Sequence, residues 1–152
     1  MFEFVNYTDC SREQLLEILE LRNLDSIRKW MVNPGVISRE DHFRFVESLR
    51  TNPDRLYFAV YKDSELVGTY NLTNEGGGVW ERGIFANPAF QGRGLTGKWE
   101  RQMISGLAGR GIEALSAKVR EDNLRSVRYH LRLGFEEVSR DGKYIHYLLK
   151  LR

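Results

Sequence analysis

Three glycines within seven residues, Gln91-Gly92-Arg93-Gly94-Leu95-Thr96-Gly97, give this chain a stretch whose residue types can hold an anion. Closely spaced glycines let successive backbone N–H groups turn toward one point, and a helix opening there adds the positive end of its dipole. Phosphate is the group such a loop binds. The spacing also satisfies G-x-G-x-x-G at positions 92, 94 and 97, and Glu113 stands at about the distance of a ribose-binding acid, as a dinucleotide fold requires. The residues before the loop argue against that fold. Asn87 to Gln91 separate the preceding strand from Gly92, and Pro88 can neither pair within a central strand nor prolong it.

The elements that hold this loop are legible from periodicity. Residues 56–62 and 65–73 are β-rich and meet at Lys62-Asp63-Ser64-Glu65, which makes a hairpin; a strand at 79–86 follows Gly76-Gly77-Gly78 and completes an antiparallel meander. Upstream, Phe2 and Phe4 alternate with polar neighbours in a first strand, and Ser11-Arg12-Glu13-Gln14 is a capping box opening a helix to about Leu21. Residues 27–31 form a short helical piece ended by Asn33-Pro34-Gly35, and Ser38 caps a helix with Phe43, Val46 and Leu49 on one face. Beyond the loop come a helix to about Ala108, a strand at 114–119, a helix over 123–133 and a hairpin turning at Asp141-Gly142. The order is that of a mixed α/β sandwich.

At 152 residues the chain has the length of one domain and can bury a core without metal or disulfide. Its hydrophobic fraction of 41% and net charge of +2 argue against disorder, and its basic residues are interspersed with acids, which excludes a nucleic-acid footprint. No apolar run approaches the roughly 20 residues of a membrane helix. Met1-Phe2-Glu3-Phe4-Val5 is not a signal peptide and the lone Cys10 cannot pair internally, so the expected compartment is the cytoplasm. Cys10 reads as a core or bystander thiol.

Pro88-Ala89-Phe90-Gln91-Gly92-Arg93-Gly94-Leu95-Thr96 resembles the signature loop of the acyl-CoA-dependent N-acetyltransferase superfamily, GNAT, which runs Gln/Arg-x-x-Gly-x-Gly/Ala after a strand and a proline. Thr96 stands where glycine or alanine is usual, with Gly97 one place later. Downstream, Asn123, Ser126, His130 and Gly134-Phe135 resemble the family's N-x-x-S-x-x-x-(Tyr/His)-x-x-x-Gly-Phe pattern. The resemblance implies a single GNAT domain over residues 1–152, α/β (α+β) in class. Its sheet would be mixed, mostly antiparallel and twisted, with a central splayed parallel pair, flanked by helices. It implies acetyl-CoA as co-substrate, no metal and no membrane, and leaves a homodimer open. Cofactor contacts would come from Ile84, Phe85 and Ala86, from Gln91, Gly92, Arg93, Gly94, Leu95, Thr96 and Gly97, and from Asn123, Ser126 and His130. Asn123 and Ser126 would also cap their helix.

Transfer of an acetyl group to an amine needs a neutral amine, stabilisation of the oxyanion and a proton for the thiolate. Glu81, on the strand before the loop, is the candidate base, although a strand glutamate can equally be solvated or salt-bridged. Alternation puts Glu81, Gly83 and Phe85 on one face of that strand and Trp80, Arg82 and Ile84 on the other. For the acid, the family's tyrosine register falls on His130, with Tyr129 one step away; either could instead pack or bond to the helix.

The acceptor is read from the first fifty residues. Leu21-Arg22-Asn23, Ile27-Arg28-Lys29-Trp30-Met31, Ile37-Ser38 and Glu40-Asp41-His42-Phe43 resemble the branch that N-acetylates an amino sugar on a nucleotide carrier, as in pseudaminic acid synthesis. Arg22, Asn23, Arg28, Trp30, Met31 and His42 are the substrate-binding candidates, with the arginines and His42 on phosphate or sugar hydroxyls and Trp30 as a stacking face; Arg22 and Trp30 also have plausible helix-pairing and core roles. The early Arg-Asn is shared with ribosomal-protein N-terminal acetyltransferases, so a peptide terminus or small amine is the alternative acceptor. A non-catalytic CoA-binding domain is the third reading.

Overall fold

A computed structural model describes residues 1–107 and 109–151. In chain order the elements are β1 (Phe2–Asn6), α1 (Arg12–Arg22), α2 (Asp25–Arg28), α3 (Arg39–Leu49), β2 (Arg55–Lys62), β3 (Glu65–Gly76), β4 (Val79–Ala86), α4 (Leu95–Leu107), β5 (Ala114–Arg120), α5 (Leu124–Leu133), β6 (Glu136–Arg140) and β7 (Tyr144–Lys150). The strands form one seven-stranded sheet in the order β1-β2-β3-β4-β5-β7-β6. Within it β4 and β5 run parallel, whereas β1–β2, β5–β7 and β6–β7 are antiparallel, so the sheet is mixed as expected. Ala108, where the sequence reading ended the helix after the glycine loop, lies outside the described residues.

The chain gathers into two compact units, one of Met1–Leu72 with Ile84–Arg93, the other of Thr73–Gly83 with the chain from Gly94 onward. In the first unit, α1 opens on the expected capping box: Gln14 N–H donates to Ser11 Oγ at 3.1 Å and Ser11 N–H to Gln14 Oε1 at 2.9 Å. Leu15, Ile18 and Leu21 of α1 meet Val46 and Leu49 of α3 and Ala59 and Tyr61 of β2 in one cluster, against which Phe43 and Phe85 pack. Burying a residue of this size removes roughly 2 kcal/mol of apolar exposure. The β2–β3 hairpin turns through Asp63 (φ 51°) and Ser64 (φ 66°), a two-residue connection of the primed type that matches strand twist. The short helix lies two residues earlier than expected, because Asp25 starts it and pairs with Arg28 at 2.7 Å; Trp30 and Met31 fall in the turn beyond.

In the second unit β5 pairs with β7 from Ala114↔Lys150 to Arg120↔Tyr144, and β6 covers β7 with a bulge between Glu137 and Ser139. Trp99, Met103 and Leu107, spaced four apart on α4, are buried, as are Leu115, Val119, Phe135, Ile145 and Tyr147. The parallel ladder between β4 and β5 runs only from Val79↔Ala114 to Glu81↔Ser116, three residues of each strand.

Candidate active site

β4 ends in a stop that fixes the start of the glycine loop. Asn87 donates from its backbone to Val67 O at 2.9 Å and from its side chain to Leu66 O at 2.8 Å, and its Oδ1 caps the Pro88–Phe90 turn by accepting from Ala89 N. Gly92 (φ 80°) and Gly94 (φ 67°) then take left-handed backbone that other residues avoid. No atom lies within 4 Å of where a Cβ on either would stand, so the backbone there is open to a ligand. Gly97 differs: it is the third residue of α4, with helical backbone, so only Gly92 and Gly94 take positive φ and Gly97 contributes an N–H of the helix's first turn. Leu95 and Thr96, half-buried, form the first turn of α4, whose free N–H groups an anion can satisfy. Exposed Gln91 and Arg93 flank the open backbone, with the Arg93 guanidinium 5.6 Å from the Phe90 ring. These residues fit the pyrophosphate of a CoA thioester.

Glu81 and Arg82 take opposite faces of β4. Arg82 is buried at 4% exposure and reaches α4 and α5: Nε and Nη2 donate to the two oxygens of Glu100 at 2.6 and 2.7 Å, and Nη1 contacts His130 Nε2 at 2.6 Å. Tyr129 O–H donates to Glu100 Oε1 at 2.7 Å, and burial together with that carboxylate pushes the phenol pKa up. His130 Nδ1 lies 2.7 Å from Ser126 O; burial and the Arg82 charge push the imidazole down to about 4. Both expected acids are thus bonded into one buried network, and His130 has no N–H free to meet a departing thiolate. Glu81, half-buried on the other face, sits in register with Ser116, whose Oγ donates to Glu75 Oε1 at 2.6 Å. Asn123 caps α5 by accepting from Ser126 N at 3.3 Å, as expected.

Several acceptor candidates bond side-chain atoms to backbone. Asn23 closes the loop after α1 with both ends of its amide, accepting from Ile37 N at 2.9 Å and donating to Ile37 O at 2.8 Å. His42 is 6% exposed and donates from Nε2 to Leu15 O at 2.8 Å, bonding α3 to α1; burial pushes its pKa down. Arg22 donates to Asn33 O at 2.8 Å and Arg28 to Pro34 O at 3.1 Å, which holds the same loop. Each arginine also keeps a buried donor without a hydrogen-bond partner, Nη1 of Arg22 and Nε of Arg28. Desolvation by burial, then the charge of Arg28, pushes Arg22 below its ordinary value. Trp30, at 37% exposure, has the Lys29 ammonium 5.2 Å from its ring centre, and Met31 beside it is half-buried.

Sequence reasoning passed over Arg82 and Glu100. The available signal was a carboxylate next to Trp99 on the apolar stripe of α4 and an arginine in mid-strand between Trp80 and Ile84, two opposite charges on faces that should be buried.

A mixed sheet with one short parallel pair, and an open glycine loop leading from the first of those strands into a helix, define an acyl-CoA-dependent N-acetyltransferase. Residues 16–135 match the acetyltransferase (GNAT) family, and the chain belongs to it. Acetyltransferase PseH of Campylobacter jejuni is 25% identical over 152 residues, 99% of this chain and 94% of that one. The crystal structure of Campylobacter jejuni N-acetyltransferase PseH in complex with acetyl coenzyme A has a TM-score of 0.78 at 20% identity, covering 99% of both chains. Spermidine N-acetyltransferase from Vibrio cholerae, solved with CoA and spermine, reaches a TM-score of 0.85 at 16% identity over 98% of this chain and 95% of that one. The fold is common to all of these, and acetyl-CoA is the acetyl donor. Among the described residues no helix is long and apolar enough to cross a membrane, and no three His, Cys, Asp or Glu side chains are grouped to hold a metal ion.

Proposed function

We propose that this chain is a single catalytic domain that acetylates the amino group of a nucleotide-linked aminosugar. The observation that carries this reading is the pair Arg22 and Arg28, two mutually repelling guanidiniums with buried, unpartnered donors beside an exposed tryptophan. A buried donor left unpaired costs about 1–3 kcal/mol, which an anionic oxygen would recover. A nucleotide sugar brings a pyrophosphate for the guanidiniums and a flat ring for Trp30. The likeness to Acetyltransferase PseH supports the acetyl transfer itself. Asn23 and His42 serve it indirectly, by fixing the loop and the helix beneath.

Acetyl-CoA supplies a thioester carbonyl, held through its pyrophosphate by the 91–97 backbone. Glu81 takes the proton that the attacking nitrogen loses, and the neighbouring Ser116–Glu75 pair sets the polarity around it. Backbone N–H groups of Ile84, Phe85 and Ala86, at the end of β4, meet the charge that develops on the carbonyl oxygen. The test is release of free thiol from acetyl-CoA against UDP-linked 4-amino-dideoxysugars, ribosomal N-terminal peptides and simple amines. Turnover confined to an aminosugar is the expected result. Turnover on peptides or simple amines alone would overturn the acceptor assignment, and CoA binding without turnover on any of them would favour a non-catalytic domain.

A further inference from the structure

Guanidinium nitrogens in arginine donate and accept nothing, so the 2.6 Å contact with Arg82 Nη1 makes His130 Nε2 a bare lone pair. The imidazole proton therefore sits on Nδ1, directed at Ser126 O at 2.7 Å, with Ser126 Oγ at 3.3 Å. Both ring nitrogens are used inside the protein. The ring face is taken as well: Tyr147 stacks on it at 5.5 Å and 15°, and Phe135 meets it edge-on at 5.3 Å. The ionisable groups that face the imidazole are Arg82 from β4, Glu100 from α4, Tyr129 of its own helix and Tyr147 from β7. A second proton on the ring would put two cations 2.6 Å apart.

We propose that His130 is a positioning residue for acetyl transfer, a neutral acceptor that fixes the Arg82 guanidinium and with it the strand carrying Glu81, and that it does not protonate the thiolate. Arg82 spends two of its nitrogens on Glu100 and the third on His130, so the imidazole completes the anchorage of β4 between Glu81 and Gly83. The thiolate can leave without a protein acid, because a thiol that titrates near 8.5, as cysteine does, is a good leaving group at neutral pH. This inference rests on the acetyltransferase reaction and is independent of which amine accepts the acetyl group.

Two substitutions separate positioning from acid catalysis. His130→Phe keeps the ring's bulk and leaves an Arg82 donor unpaired, whereas His130→Gln places an amide oxygen where Nε2 lies. The Phe variant should lose about tenfold in kcat, the effect of one unpaired buried donor, with the KM for acetyl-CoA changed less than about twofold. The Gln variant should recover most of that loss, and kcat in both should keep the wild-type pH dependence. A Gln variant as impaired as Phe, with a limb of the pH profile missing from both, would overturn the inference in favour of an acid. Wild-type kcat in the Phe variant would overturn it too. If the Phe variant does not fold, nitrogen NMR of the wild-type imidazole decides. The expected state is protonated Nδ1 and bare Nε2, constant from about pH 5.5 to 9 given the ring's partners; an Nε2–H tautomer, or titration near pH 6.5, would sink the proposal.

Discussion

Glu81→Gln removes the carboxylate that the proposed mechanism uses to take the amine's proton while keeping the side chain's size. It should lower kcat by about 10²- to 10⁴-fold and leave CoA affinity, measured by calorimetry, within about twofold. A rate within a few-fold of wild type would return Glu81 to the role of a strand glutamate. Asn23→Ala makes a different forecast. The two bonds from Asn23 to Ile37 close a loop across 14 positions and are worth about 1 kcal/mol each, so the KM of the acceptor should rise several-fold with that of acetyl-CoA unmoved. Equal changes in both would mean that the loop serves more than the acceptor. The residue types around 22–42 pointed to a polar site from sequence, yet whether a given amide or imidazole meets a ligand or its own backbone depends on partners as distant as Leu15 from His42. Spacing along the chain does not carry that information.

At the scale of elements, the loop and its helix make the sharpest forecast. Gly94→Glu places a side chain on left-handed backbone, at about 1–2 kcal/mol, and a carboxylate where the phosphates would lie. CoA binding should vanish while the far-UV circular dichroism stays that of the wild type; retained CoA affinity would refute the loop's role. The loop was legible in sequence because glycine, proline and helix-start signals are local. A pattern of glycines does not say which of them needs positive φ and which lies in the first turn of a helix, as Gly97 does. The short helix begins two residues and ends three residues earlier than expected, with Asp25 in its first turn paired to Arg28.

At the scale of the molecule, the buried Arg82–Glu100–His130 network ties stability to pH. Glu100→Gln strands Arg82 without its counter-charge in a buried site, a loss of about 3–5 kcal/mol. For a chain of this length that corresponds to a Tm lower by roughly 6–20 °C in scanning calorimetry. A drop under two degrees would show that the pair is not energetically buried. His130 titrates near 4 in the folded protein and near 6.5 when unfolded, so between those values the unfolded chain binds the extra proton. The stability this group contributes is complete above about pH 6.5 and is lost as pH falls to about 4, on the order of 3 kcal/mol. The Tm of the wild type should therefore fall more steeply across that window than that of His130→Gln, and parallel curves would refute the assignment of the network.

What the sequence determined by itself was whatever short-range physics fixes: the β2–β3 turn, the helix caps at Ser11, Ser38 and Asn123, the glycine loop opening α4, and through those local motifs the family. Only the tertiary structure decided that the Arg82 face of β4 at that point is the buried one, that Arg82 finds Glu100 and His130 18 and 48 residues away, and that Asn23 and His42 bond side-chain atoms to backbone. A side chain's role follows from the partners that desolvation forces it to find, and those are set by packing among residues far apart in the chain.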